Sequence, residues 1–197
     1  SFGARTDVVV TGNPVRREIE ALAPPAERCA GRTKPQLLVF GGSQGANALN
    51  RLVPAALALL QPSERPDVLH QTGRNRRDDV ARAYAAAGVA ADVREFIDEM
   101  ADAYAWADLA ICRSGALTVA ELAAAGVASI LVPFPAAVDD HQTENARYLA
   151  SRGAAILLPE ATLTAERLAQ ELKLLTGPDA RRRLAMAEAA RAAAVPG

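Results

Sequence analysis

The sequence predicts an α/β fold, an open parallel sheet covered by helices on both faces. Three observations carry this expectation. Apolar runs of strand length alternate with helical apolar patterns along most of the chain. The loops that follow the strands are rich in Gly, Pro and Ser. One stretch, Cys112 to Gly126, reads as a strand end, a tight turn and a helix whose first amides face outward. Repeated strand-helix units imply parallel pairing with right-handed crossovers, and ligands of such sheets sit outside the carboxyl ends of the strands.

Composition bounds the function. A chain of 197 residues accommodates one well-buried domain and is short for two. Half of the residues are hydrophobic, but alanine inflates that share, and the 4% aromatic content suits close helix-to-sheet packing more than a large apolar pocket. A net charge of −1 supplies no global basic field, so nucleic acid is not an expected partner, and Arg74, Arg76 and Arg77 read as a solvated helix start. No apolar stretch approaches a membrane span and no signal peptide is visible, which makes a cytoplasmic location the expectation. Cys29 and Cys112 have no metal-ligand spacing and read as idle thiols.

In chain order, Asp7 to Val10 is a short β-branched run ending in Thr11-Gly12-Asn13-Pro14-Val15-Arg16, a turn that leads into a short helix carrying Arg16 and Arg17. Residues 1–35 are expected to form an interdomain linker with that short helix, and residues 36–197 the domain proper. Gln36 to Phe40 is the first core strand, followed by Gly41-Gly42-Ser43-Gln44-Gly45 and a helix with Leu49, Leu52, Val53, Ala56, Leu57 and Leu60 at helical spacing. Pro54 lies inside this pattern, so a kink or break is expected there. Strands are expected at Asp67 to Gln71, Asp92 to Phe96, Asp108 to Cys112, Ala128 to Val132 and Ala154 to Leu158. The intervening helices are expected at Asn75 to Ala87, Asp98 to Ala107, after Ser114, and at Asp140 to Arg152, with two tail helices at Thr164 to Leu175 and Asp179 to Ala194.

The Cys112 to Gly126 junction is the leading site candidate. Ser114 is a favourable N-cap, Gly115 frees the turn, and Gly126 stops the helix. Unpaired amides and the helix macrodipole at such a start stabilise a phosphate or pyrophosphate, and Thr118 adds a hydroxyl. Glu121, one turn on, is either a ribose ligand accepting from two hydroxyls or a solvated carboxylate on an Ala-rich helix. Glycines in the Gly41 to Gly45 loop allow close backbone approach to a ligand, and Ser43 offers a hydroxyl, but the spacing is neither a dinucleotide fingerprint nor a P-loop. His141 to Asn145 either recognises sugar hydroxyls or caps a helix from Asp139 or Asp140. His70 is either a base or a locally satisfied core histidine. Phe96 and Ile97 either sandwich a flat base or belong to the core.

Five ordered blocks resemble the MurG family of bacterial transferases: Thr11 to Arg16, Gly41 to Ala46, Glu95-Phe96-Ile97, Ser114 to Glu121, and Asp140-His141-Gln142 with Asn145. The family moves N-acetylglucosamine from UDP-N-acetylglucosamine onto undecaprenyl-pyrophosphoryl-muramyl-pentapeptide, the lipid I to lipid II step of peptidoglycan synthesis, at the inner face of the plasma membrane. Its members have two Rossmann-like domains in the GT-B arrangement, and this chain is similar to the carboxyl-terminal, donor-binding one. The resemblance implies that Ile97, beside Phe96, reads uracil through its backbone. It makes Glu121 the ribose ligand, places the pyrophosphate on Ala116, Leu117 and Thr118 within the run Ser114, Gly115, Val119 and Ala120, and gives Gln142 the sugar hydroxyls. Arg16 and Ser43 are then expected at the mouth, where Arg16 offsets charge on the leaving UDP. No cofactor, metal or catalytic residue is expected in this chain. The family's amino-terminal domain, with its Gly-rich loop and the His proposed as base, is not in this sequence, so the lipid-linked acceptor is expected to bind elsewhere and the chain alone to be inactive. The rival expectations are another UDP-sugar transferase or epimerase of the same fold, and a non-catalytic UDP-sugar-binding subunit.

Overall fold

The computed structural model describes residues 14–42, 46–135, 140–177 and 181–195. Six strands, β1 (Gln36–Phe40), β2 (Asp67–Gln71), β3 (Asp92–Arg94), β4 (Leu109–Cys112), β5 (Ala128–Leu131) and β6 (Ala155–Leu157), form one sheet in the order β3-β2-β1-β4-β5-β6, every pair parallel. β1 and β4 are buried along nearly their whole length, as expected of central parallel strands covered on both faces.

Two apolar layers hold helices to the sheet. On one face α3 (Asn47–Ala58), α4 (Arg77–Ala86) and α8 (Ala165–Thr176) pack with Leu37, Val39, Leu109, Ile111 and Ile130. On the other face α1 (Arg17–Glu20), α5 (Met100–Trp106), α6 (Ala116–Ala125), α7 (His141–Ala150) and part of α9 (Arg181–Ala192) meet Leu38, Phe40, Ala110, Cys112 and Leu131. The alternation of neighbouring residues between layers follows from the two-residue period of a strand. α2 (Pro25–Arg28) packs against α9.

Three local expectations change. α3 runs unbroken from Asn47 to Ala58 with Pro54 inside it. Burial of Leu49, Leu52, Val53, Ala56 and Leu57 along one face outweighs the roughly 3 kcal/mol that an interior proline costs. β3 ends at Arg94 and does not reach Phe96. Pairing extends only to Gly73 N–H donating to the Glu95 carbonyl at 3.1 Å, after which the Glu95 carboxylate accepts from Asn75 N–H at 2.7 Å and the chain turns out of the sheet. Finally, Ser114 does not cap α6. Gly115 occupies the N-cap position and Ser114 is turned inward.

Candidate nucleotide site at the switch point

Strand order reverses between β1 and β4, since the chain proceeds outward to β2 and β3 and then returns to β4 on the other side of β1. A crevice at the carboxyl ends of two such strands is where open α/β sheets bind ligands. Here it is a cavity of about 310 Å³ lined by Phe40, Gly41 and Gly42 from β1 and its loop, Arg113, Gly115 and Thr118 from the β4–α6 junction, and Phe134 and Gln142 from the next unit.

α6 points its start at this cavity. Val119 N–H donates to the Gly115 carbonyl at 3.0 Å as the first intrahelical bond, so the amides of residues 116–118 have no carbonyl one turn earlier to receive them. Ala116 and Leu117 are exposed and Thr118 is half-buried. Gly115 has φ −59°, a conformation open to any residue, and an added Cβ would touch only Thr118 Oγ1 at 3.9 Å. The glycine is therefore not demanded by the turn; its missing side chain leaves the space above the amides open. Positive dipole and free donors together make this end of α6 an anion seat.

The junction is latched to α7. Ser114, fully buried, donates its hydroxyl to the Gln142 carbonyl at 2.7 Å, and Asn145 Nδ2 donates to the Ser114 carbonyl at 3.0 Å. Gln142 Oε1 accepts from Phe134 N–H at 2.9 Å and from Ser114 N–H at 3.4 Å. Its amide oxygen is thus committed to two loops, while its Nε2 group keeps donor capacity. Arg113 pairs with Glu160, donates to the carbonyls of Val132 and Pro133 at 3.2 Å each, and lies 5.2 Å over the Phe134 ring.

Glu121 is 5% exposed, which rules out the solvated carboxylate. Arg16 Nη2 donates to its Oε1 and the Tyr104 hydroxyl to its Oε2, each at 3.0 Å. The bond to Glu121 raises the Arg16 pKa further, and burial, with the Glu121 charge second, holds the Tyr104 hydroxyl protonated well above its ordinary range.

Phe96 and Ile97 sit beyond β3 beside a second cavity of about 650 Å³, which reaches Leu69, Asp102 and Trp106. Phe96 is 38% exposed with the Arg74 guanidinium 6.0 Å from its ring centre, and Ile97 is half-buried against the core, so each combines features of both sequence alternatives. His70 is a core histidine. Its Nδ1 meets the Tyr84 hydroxyl at 2.7 Å and its Nε2 meets Asn50 Oδ1 at 2.9 Å, and burial drives its pKa down to about 3. Burial also pushes the Cys29 thiol up to about 11, with its Asp108 hydrogen bond adding to the shift. Val119 is buried and Ala120 half-buried. Asp140 takes the N-cap position of α7 without a side-chain bond. Ser43, Thr11, Gly12 and Asn13 lie outside the described residues. Among the described residues, no group of three or more His, Cys, Asp and Glu side chains is placed to hold a metal ion, and no helix is long and apolar enough to cross a membrane.

Sequence reasoning missed Tyr104, which stands at an apolar-patterned position of a seven-residue helix and gives no signal of its pairing with Glu121. Arg113 and Phe134 fall at strand ends where the sequence places ligands, but sequence reasoning gave neither a role of its own, although an aromatic between two prolines after a strand is a detectable feature.

An open parallel sheet with a helix start at its switch point and a buried carboxylate one helical turn behind it defines a Rossmann-like half-domain with a ligand crevice at its carboxyl edge. Residues 36–196 match the glycosyltransferase family 28 C-terminal domain, and the chain belongs to that family. It is 60% identical over 186 residues to the UDP-N-acetylglucosamine–N-acetylmuramyl-(pentapeptide) pyrophosphoryl-undecaprenol N-acetylglucosamine transferase of Azoarcus sp., covering 94% of this chain and 51% of that protein. To the transferase of the same name from Bordetella petrii it is 56% identical over 188 residues, covering 95% and 52%. The crystal structure of Acinetobacter baumannii MurG superimposes with a TM-score of 0.83 at 40% identity, covering 96% of this chain and 55% of that one. The architecture is one half of a GT-B glycosyltransferase, and the chain spans about half the length of the curated relatives it matches.

Proposed function

We propose that this chain is the donor-binding half of an inverting glycosyltransferase that moves N-acetylglucosamine from UDP-N-acetylglucosamine to a lipid-linked muramyl-pentapeptide, as the names of its relatives describe for those proteins. The observation that carries the reading is the combination on one helix of outward amides at residues 116–118 and a buried carboxylate at Glu121, opening at the β1/β4 switch point. The pyrophosphate rests on those amides and Thr118, the ribose hydroxyls on Glu121, uracil on the backbone of Ile97 with Phe96 beside it, and the sugar hydroxyls on Gln142. When an acceptor hydroxyl attacks the anomeric carbon, negative charge grows on the departing UDP, and the α6 dipole and Arg16 stabilise it. Residues 1–35 serve as the connection to the domain that holds the acceptor at the cytoplasmic face of the membrane.

Calorimetric titration with UDP-N-acetylglucosamine, its 4-epimer and UDP-glucose tests the assignment. Tightest binding of UDP-N-acetylglucosamine is expected. Equal affinity for all three, or none for any, would remove the donor-site reading.

A further inference from the structure

The two oxygens of the Glu121 carboxylate have neighbours of opposite character. Tyr104 is fully buried, its ring edge-on to Phe40 with centroids 6.1 Å apart and planes at 76°. Its hydroxyl holds Oε2, and its own carbonyl accepts from Arg28 Nη1 at 2.8 Å, so the residue is fixed at both ends. Arg16 stands at the N-cap of the four-residue α1, its side chain 52% exposed, and reaches Oε1 with a single guanidinium nitrogen. The carboxylate between them has a side chain only 6% exposed.

We propose that Tyr104 and Arg16 divide Glu121 into a fixed and an exchangeable half: Tyr104 is a positioning residue that anchors Oε2, and Arg16 is a placeholder on Oε1 that the vicinal diol of a nucleotide's ribose displaces. This rests on the donor-site reading above and adds how that site is kept ready. A carboxylate has room for about four hydrogen bonds, and a diol needs two adjacent acceptor directions. The Tyr104 bond stops rotation of the carboxylate and keeps Oε1 turned toward the surface. The Arg16 end of the pair is 52% exposed and can turn into solvent, while the two ribose hydroxyls replace its donor on the buried carboxylate, so the charge of Glu121 is not left unpaired by the exchange. Its guanidinium, once released, is free to meet the phosphates of the same ligand.

The test is calorimetry on the chain with UDP, 2′,3′-dideoxy-UDP and uridine. Tyr104→Phe keeps the ring and removes only the hydroxyl. It is expected to weaken UDP about tenfold and to leave dideoxy-UDP unchanged. Arg16→Ala is expected to bind uridine severalfold more tightly, because the carboxylate is vacated in advance, and UDP more weakly, because the phosphates lose a cation. Equal weakening of UDP and dideoxy-UDP by Tyr104→Phe would overturn the positioning role, and weaker uridine binding by Arg16→Ala would overturn the exchange. Arg16 is at the surface, so the second arm decides the matter even where Tyr104→Phe fails to fold. If the unmodified chain binds UDP and dideoxy-UDP equally, the ribose reading of Glu121 fails, and this inference with it.

Discussion

Two buried polar residues, Glu121 on α6 and His70 on β2, do opposite work, and the difference lies in what surrounds each. Glu121 keeps a charged partner at a solvent boundary, whereas His70 is sealed between Tyr84 and Asn50. Asn50 Nδ2 donates to the Thr72 carbonyl at 3.0 Å, which turns Oδ1 to His70, so Nε2 carries the imidazole proton and Nδ1 accepts from Tyr84. With a folded pKa of about 3 against 6.5, the unfolded chain binds a proton that the folded chain refuses throughout that window. Stability from this group is complete above pH 6.5 and is lost as pH falls toward 3, at about 1.4 kcal/mol per pH unit. Urea unfolding at stepped pH should show a steeper acid loss for the native chain than for His70→Gln, and parallel slopes would contradict the neutral assignment. For Glu121→Ala, loss of two charge-assisted hydrogen bonds to ribose predicts roughly 3 to 6 kcal/mol weaker UDP binding, with dideoxy-UDP almost indifferent to the change. Loss of both ligands in equal measure would mean that Glu121 shapes the helix and does not touch ribose. At this scale the sequence exposed Glu121 and Thr118 through their spacing from the strand end, but not Tyr104 or Arg16 as partners. Those contacts join residues 17 and 105 positions away, and no local pattern encodes them.

α6 is the element on which the site depends, and its two ends are treated differently. The amide end is left open, while the carbonyl end is closed by cations: Arg28 Nη2 donates to Ala125 O at 2.6 Å and Gly126 O at 2.9 Å, and Arg191 Nη1 to Ala124 O at 2.7 Å. Positive charge at a helix C-terminus offsets the negative pole of the dipole. Gly126 ends the helix at φ 64°, as its place in the sequence indicated, and a Cβ there would lie 2.8 Å from Pro25 Cγ and 3.1 Å from Arg191 Cβ. Gly126→Ala therefore combines a left-handed backbone penalty with overlap against α2 and α9, and a loss of about 2 to 4 kcal/mol is expected in chemical denaturation. A loss below about 0.5 kcal/mol would show that α2 yields freely. Strand and helix identities were legible because parallel core strands are short unbroken apolar runs and the helices carry a 3.6-residue period. Ends were less so. β3 stops early because the Glu95 carboxylate bonds Asn75, and Ser114 is drawn from capping by Gln142, both tertiary choices invisible to local propensity.

At the scale of the whole molecule, the topology gathers the open end of α6, the β1 loop and the start of α7 at one crevice, so a ligand there touches segments from three strand-helix units at once. Occupancy must then stabilise the entire fold, since the unfolded chain has no crevice to bind with. At one hundred times the dissociation constant the linkage is worth about 2.7 kcal/mol. For a chain of this size each kcal/mol moves the thermal midpoint by about 2–4 °C, so UDP should raise it by about 5–10 °C. In the proposed donor site the charge of the pyrophosphate is met by α6 amides, the helix dipole and the Arg16 cation, all supplied by the protein. The same rise is therefore expected in EDTA and in magnesium. A shift that vanishes on chelation would assign the pyrophosphate to a metal and take from the start of α6 the role argued for it.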